Sequence, residues 1–178
     1  MAMCNDCYNY NPNDNEYYTH KDMWKNISHL ISKDKVIYDP CLLNSKSKSI
    51  QYWNELGYKC IGDTNINCLI DEPIEDFDII VTNPPFKTDL KKAILEKLLQ
   101  YDKPFIMIMN IMNTFTKYIR EIFGDRIKDL QIIIPNGRIF FEKYNEETGE
   151  VSRCKKDASF YCCYIVYKMN LSQEKLWL

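Results

Sequence analysis

The runs PFIMIMN (residues 104–110) and DIIVTN (78–83) limit this chain more than any other feature. Neither run alternates apolar and polar residues. A strand that is apolar on both sides needs cover on both faces, as in a parallel sheet with helices above and below it. The intervening segments carry helical periodicity. Met23, Ile27, Leu30 and Ile31 share one face after Asp22. Ile50, Trp53 and Leu56 share another, with Gly57 as the stop. Leu90, Ile94 and Leu98 line a third helix, capped by Thr88 or Asp89. Phe115, Tyr118, Ile119 and Ile122 line a fourth, stopped by Gly124. Strands fall at KVIYDPC, YKCIGDT and the two opening runs. This alternation predicts an α/β class with a mostly parallel sheet. The end breaks the alternation. LQIIIP and RIFF, joined through residues 135–137, precede a polar loop from Lys143 to about Asp157 and a long strand, SFYCCYIVYKM. An antiparallel C-terminal hairpin is expected to close the sheet.

The chain has 178 residues, 46% of them hydrophobic and 27% charged. That is enough for one domain with a core. Residues 17–178 are expected to form it, with 1–16, rich in Asn, Asp and Tyr, as a flexible tail. A net charge of -2 excludes a global basic field that would draw the protein onto nucleic acid. Any such contact must come from local patches such as Lys87, Lys91 and Lys92, or Lys143, Arg153, Lys155 and Lys156, against Glu146, Glu147 and Glu150. The 8 cysteines include one CxxC, Cys4 and Cys7, without a second pair at zinc-finger spacing. The others sit in apolar stretches, where a free thiol behaves as a small hydrophobe. The prediction is reduced thiols, no metal and no disulfide. No run reaches the ~20 apolar residues of a membrane span, and no signal-peptide core is visible. An intracellular protein, cytoplasmic or nuclear, is expected. Heavy use of Lys, Ile, Asn and Tyr fits an AT-rich genome: a parasite, a mycoplasma-like bacterium or a large DNA virus acting in a host cell.

The strand DIIVT ends in Asn83, Pro84, Pro85 and Phe86. A rigid prolyl step after a buried strand fixes the neighbouring carbonyls. In an open parallel sheet, this carboxyl end is where ligands bind. The order of EYYTH (16–20), YDPC (38–41), Asp63 about 24 residues on, TNPPF (82–86) and PNGRIFF before a last long strand resembles the S-adenosylmethionine-dependent amino-methyltransferases. It is most similar to the small, phage-type adenine-N6 DNA methyltransferases, over roughly residues 16–169. The resemblance implies a Rossmann-like class I methyltransferase fold and methyl transfer to the exocyclic amino group of adenine in nucleic acid. It implies a catalytic Asn83-Pro84-Pro85-Phe86 corner. The Asn83 side-chain oxygen and the Pro84 carbonyl would accept from the amino group, and Phe86 would stack on the base. It implies S-adenosylmethionine as cofactor, held by Tyr18, Thr19, Asp39, Pro40, Cys41, Asn44, Ser45 and Asp63.

Two departures stand against that pattern. The loop Asp39-Pro40-Cys41-Leu42-Leu43-Asn44-Ser45-Lys46 has no glycine where the family has DPxxGxG. Lys46 and Lys48 also bring positive charge toward a sulfonium ligand. Second, only about 15 residues separate Asp63 from Asp78, too few for the usual helix and strand. The sheet is expected to be shortened there, with Asn65, Asn67 or Cys68 taking over the cofactor adenine. His20 replaces a family proline and reads as a surface histidine. Two alternatives follow: a catalytically inactive methyltransferase-like subunit that binds nucleic acid or acts as a scaffold, and a protein-glutamine methyltransferase. No target-recognition domain fits within 178 residues, so a protein partner or a homo-oligomer is an expected way of working.

Overall fold

The computed structural model describes residues 17–42, 47–63, 67–73, 75–145, 150–153 and 161–172. Six strands form the main sheet: β2 (Val36–Tyr38), β3 (Lys59–Ile61), β4 (Ile79–Thr82), β5 (Phe105–Asn110), β6 (Leu130–Ile133) and β9 (Cys162–Tyr167). Their spatial order is β3-β2-β4-β5-β9-β6. The first four are mutually parallel, and β9 runs antiparallel to both β5 and β6. The last strand is thus wedged between two parallel ones. This is the Rossmann-like fold of class I methyltransferases. Among the described residues no strand lies between β3 and β4 in sequence, so β3 forms the sheet edge.

The layers follow from side-chain alternation. Ile106 and Ile108 of β5 pack with helices α1 (Lys21–Ser28) and α2 (Ser49–Glu55), through Trp24, Ile27 and Trp53. Phe105, Met107 and Met109 point the other way, onto α3 (Thr88–Gln100) and α4 (Lys117–Phe123), through Leu95, Leu98 and Phe123. Both faces are covered, which is why these strands carry no polar alternation. Asp78 ties two strands at their starts. Its Oδ2 accepts from the Val36 N–H at 2.8 Å, and that bond holds its carboxyl below the ordinary range.

Several sequence expectations are corrected. Phe141, the last residue of RIFF, and the first part of the polar loop form strand β7 (Phe141–Asn145), which pairs with β8 (Glu150–Arg153) and with β1 (Tyr18–Thr19) in a separate three-stranded sheet. The antiparallel closure is therefore made by β6 and β9 across an inserted hairpin. Neither Thr88 nor Asp89 caps α3. Its N-cap is Lys87, without a side-chain bond, and both residues lie in the first turn. Phe115 sits outside α4, in a 3-10 turn (Ile111–Phe115), and is 78% exposed. His20 does more than a surface histidine would. It is the N-cap of α1, and its Nδ1 accepts from the Asp22 N–H at 3.2 Å. Gly57 and Gly124 adopt φ of 84° and 52° at the ends of α2 and α4, where a side chain would be strained.

Lys91 on α3 is only 3% exposed. Among the described residues its ammonium faces the Phe86 ring, 5.8 Å from the centroid, and the Cys162 thiol. Burial pushes its pKa down. A buried cation without an anion costs stability that one ring contact offsets only in part. Lys91→Met is expected to stabilise the fold by about 1 kcal/mol, or roughly 3 °C in Tm. Because the lysine's folded pKa is depressed, the unfolded chain binds more protons between that value and the ordinary one. Wild-type stability therefore rises as pH climbs through that window, and the advantage of Lys91→Met shrinks. Thermal melts from pH 7 to 10.5 test both signs.

Candidate active site

The chain leaves β2 for α2 and β3 on one side, then crosses back to build β4 on the other. The carboxyl ends of β2 and β4 therefore flank the switch point, where open α/β sheets leave a crevice. Asp39 ends β2, Asn83 follows β4, and one pocket lies between them. Of the residues anticipated from sequence, Tyr18, Thr19, Asp39, Cys41, Asn83, Pro84, Pro85 and Phe86 line it. Pro40 is buried beside it but does not line it, and Asp63 is half-buried at the end of β3 and outside the lining. Asn67 and Cys68 are outside it as well. Asn44, Ser45 and Asn65 lie outside the described residues. Tyr17, Trp24, Ser47, Lys48 and Ser49 line the pocket and escaped the sequence reading. Trp24 sits at the core-facing position of an amphipathic helix, where nothing local separates a packing tryptophan from a pocket wall. Among the described residues no three His, Cys, Asp or Glu side chains converge as metal ligands would.

Asn83 is oriented by a single bond. Its Nδ2 donates to the Tyr17 carbonyl at 2.9 Å. That donation sets which way the amide faces, since reversing it would oppose two oxygens. Oδ1 is buried and has no partner among the described residues. Beside it Tyr17, Phe86 and Phe141 form an edge-to-face trio, with centroids 5.6–6.0 Å apart. Lys143 Nζ lies 4.6 Å over the Tyr17 ring.

Asp39 is 3% exposed. It accepts from Thr82 Oγ1 at 2.6 Å and from the Cys41 N–H at 3.2 Å. Burial pushes its carboxyl above the ordinary value, although these bonds pull the other way. No cation among the described residues pairs with it. Nearby, the Cys41 thiol is raised by its hydrogen bond with Cys68 and by burial, and that bond ties the loop after β2 to the contracted segment. Among the described residues three buried side-chain polar atoms of the pocket, Thr19 Oγ1, Trp24 Nε1 and Asn83 Oδ1, lack a partner, while the Ser49 hydroxyl faces the Asp39 carboxyl. Buried polar groups are nearly always satisfied, so this concentration marks a place built for a polar ligand.

The missing loop glycines have a structural counterpart on the adjacent strand. A Cβ on Gly62, just after β3, would meet the Asp39 carbonyl oxygen at 2.7 Å and Leu42 Cδ1 at 2.5 Å. The close approach that positions Asp39 is thus met by a glycine on β3. The Leu42 tip can swing away, but the backbone carbonyl cannot. Gly62→Ala is expected to destabilise the fold by about 1–3 kcal/mol and to displace the Asp39 turn. Thermal denaturation and ligand titration of the variant measure the two effects.

No protein-family model matches the chain, and no curated protein matches it. Among solved structures it is similar to a Pyrococcus horikoshii protein provisionally described as an RNA methyltransferase. The identity is 14% and the TM-score 0.45, over 82% of this chain and 80% of that one. It is also similar to precorrin-6y C5,15-methyltransferase from Geobacter metallireducens, at 16% identity and a TM-score of 0.39, over 86% and 92% of the two chains. A third is the tRNA (m1A58) methyltransferase of Aquifex aeolicus, at 11% identity and a TM-score of 0.41, over 83% and 67%. These scores are low, so the fold assignment rests on this chain's own strand order and register.

Proposed function

We propose that the protein transfers a methyl group from S-adenosylmethionine to an exocyclic amino nitrogen of a nucleic-acid base, most specifically N6 of adenine. The observation that carries this reading is the Asn83 amide, whose nitrogen is anchored and whose buried acceptor oxygen has no donor among the described residues, at the crevice between β2 and β4. An aryl amine is a poor nucleophile because its lone pair is spread into the ring. Acceptors aimed at its two protons favour the tetrahedral, reactive form, and they help most when fixed in advance. Asn83 Oδ1 is one such acceptor, and the Pro84 carbonyl, stiffened by the Pro84-Pro85 step, is the second. Neither is a strong base, so both orient and polarise.

The residues present fit the cofactor. When bound, it supplies an electrophilic methyl on a sulfonium centre, together with an α-ammonium group. Among the described residues Asp39 offers a buried carboxylate without a counter-cation, and Thr19 and Trp24 offer polar atoms without a partner. Lys48 places a positive charge at the same pocket, suited to a carboxylate.

The second reading is an inactive, methyltransferase-like subunit. It is favoured by the glycine-free loop, whose Leu42 is buried at 6% exposure. Calorimetry with S-adenosylmethionine separates the two, and no heat at millimolar ligand selects the scaffold. Where binding occurs, incubation with methyl-labelled cofactor and adenine-containing DNA and RNA is expected to yield N6-methyladenine after digestion to nucleosides. Label found only in protein glutamine would overturn the base as target.

A further inference from the structure

At the carboxyl edge of the sheet, one strand over from the Asn83 corner, β5 ends at Asn110 and runs into the 3-10 turn that carries Met112 and Phe115. Asn110 is opposite Cys162 in register, and the Ile111 N–H donates to the Tyr161 carbonyl at 2.9 Å. The backbone therefore brings Tyr161 against the start of that turn. Met112, Phe115 and Tyr161 are 67%, 78% and 60% exposed. They are three of the five exposed large hydrophobic side chains among the described residues, and they gather on one rim. Scattered exposed hydrophobics need no explanation, whereas a group beside a candidate active site does.

Cations flank the group on both sides. The Arg138 guanidinium lies 4.6 Å over the Tyr161 ring and donates to its hydroxyl at 3.3 Å. Lys92 Nζ lies 5.1 Å over the ring of Tyr118, three residues beyond Phe115. Among the described residues Asp89 stands on the first turn of α3, and Glu121 is paired with Lys117. Exposed rings with cations beside them suit single-stranded nucleic acid. Bases stack on the rings and phosphates meet the cations, whereas a duplex keeps its bases stacked internally.

We propose that this rim is a binding strip for single-stranded nucleic acid, with Phe115 and Tyr161 stacking on bases that flank the target and Arg138 meeting a phosphate. The inference builds on the amino-methyltransferase reading of the pocket and specifies the form of its substrate. A single strand suits an edge that must admit a base already free of its partner.

The test is fluorescence anisotropy with a labelled adenine-containing 12-nucleotide strand and the duplex of the same sequence, using the whole chain without cofactor. The single strand is expected to bind at least ~10-fold tighter than the duplex. The double variant Phe115→Ala/Tyr161→Ala is expected to lose about 30-fold or more, since each base–aromatic stack is worth several-fold. Arg138→Gln should lower the slope of log affinity against log salt by about 0.7. Phe115 and Tyr161 contribute little to the core, and an unchanged melting temperature confirms that the double variant is folded. Equal affinity for the two probes, or wild-type affinity in the double variant, overturns the strip. So does sedimentation showing that the substitutions abolish self-association while strand affinity stays put. Strand binding that is lost in the double variant, in a protein that methylates nothing, sustains the strip and sinks the reaction proposed for the pocket.

Discussion

Asn83→Ala is expected to lower methyl transfer by ~10²–10³-fold, the usual loss when one fixed group stabilising a transition state is removed. Cofactor affinity should stay within about twofold, because the acceptor faces the amine. Single-turnover transfer with saturating cofactor measures the first quantity, and calorimetry measures the second. Asn83→Asp is the informative companion. A carboxylate keeps an acceptor in place but loses the Nδ2 donation to the Tyr17 carbonyl at 2.9 Å and buries a charge there. It should be both less active and less stable. An unchanged rate in Asn83→Ala would remove the prolyl corner from the chemistry altogether.

The second large effect is expected at Asp39, where function and stability should move in opposite directions. Asp39→Asn keeps the shape and the acceptor for Thr82 Oγ1, and removes a buried negative charge that has no counter-cation among the described residues. Losing one member of a buried charge pair costs about 2–5 kcal/mol, so affinity for the cationic cofactor should fall ~30-fold or more. The unliganded protein should become more stable. The carboxyl's folded pKa is raised, so its stabilising share is fully present below the ordinary carboxylate value and is lost as pH rises through the folded value. Asp39→Asn removes that loss, so its gain in Tm should be large at neutral pH and vanish in acid. Cofactor affinity of the wild type should weaken as pH falls through the same window, while that of the variant should not. A variant that binds cofactor as tightly as the wild type would take Asp39 out of the site.

Both predictions concern residues already conspicuous in the sequence, and the reason is local. Asp39 and Asn83 each end an apolar run, and the end of a buried strand is a position that the chain's own patterning marks. Trp24 and Gly62 carried no comparable signal. Trp24 is a core-facing helix residue that also reaches a pocket, and Gly62 matters only because the Asp39 carbonyl from another strand passes 2.7 Å from where its Cβ would be. Asp63 shows the reverse. It sits where a strand-end acid belongs, yet the pocket closes without it.

The amino-acid order by itself determined the class of fold and the sheet edge on which its strand-end polar corners stand. Runs without polar alternation must be buried on both faces, and rigid polar corners at their ends must lie on one edge of the sheet. Only the tertiary structure decided that β9 inserts between β5 and β6, and that the polar loop holds a separate small sheet. It alone decided that Phe115 turns to solvent rather than to the core, and that the Asn83 amide is anchored by a carbonyl 66 residues away. Periodicity reports which faces are buried, because burial acts residue by residue. Strand partners and long-range hydrogen bonds depend on which buried surfaces meet, and that is a property of the whole folded chain.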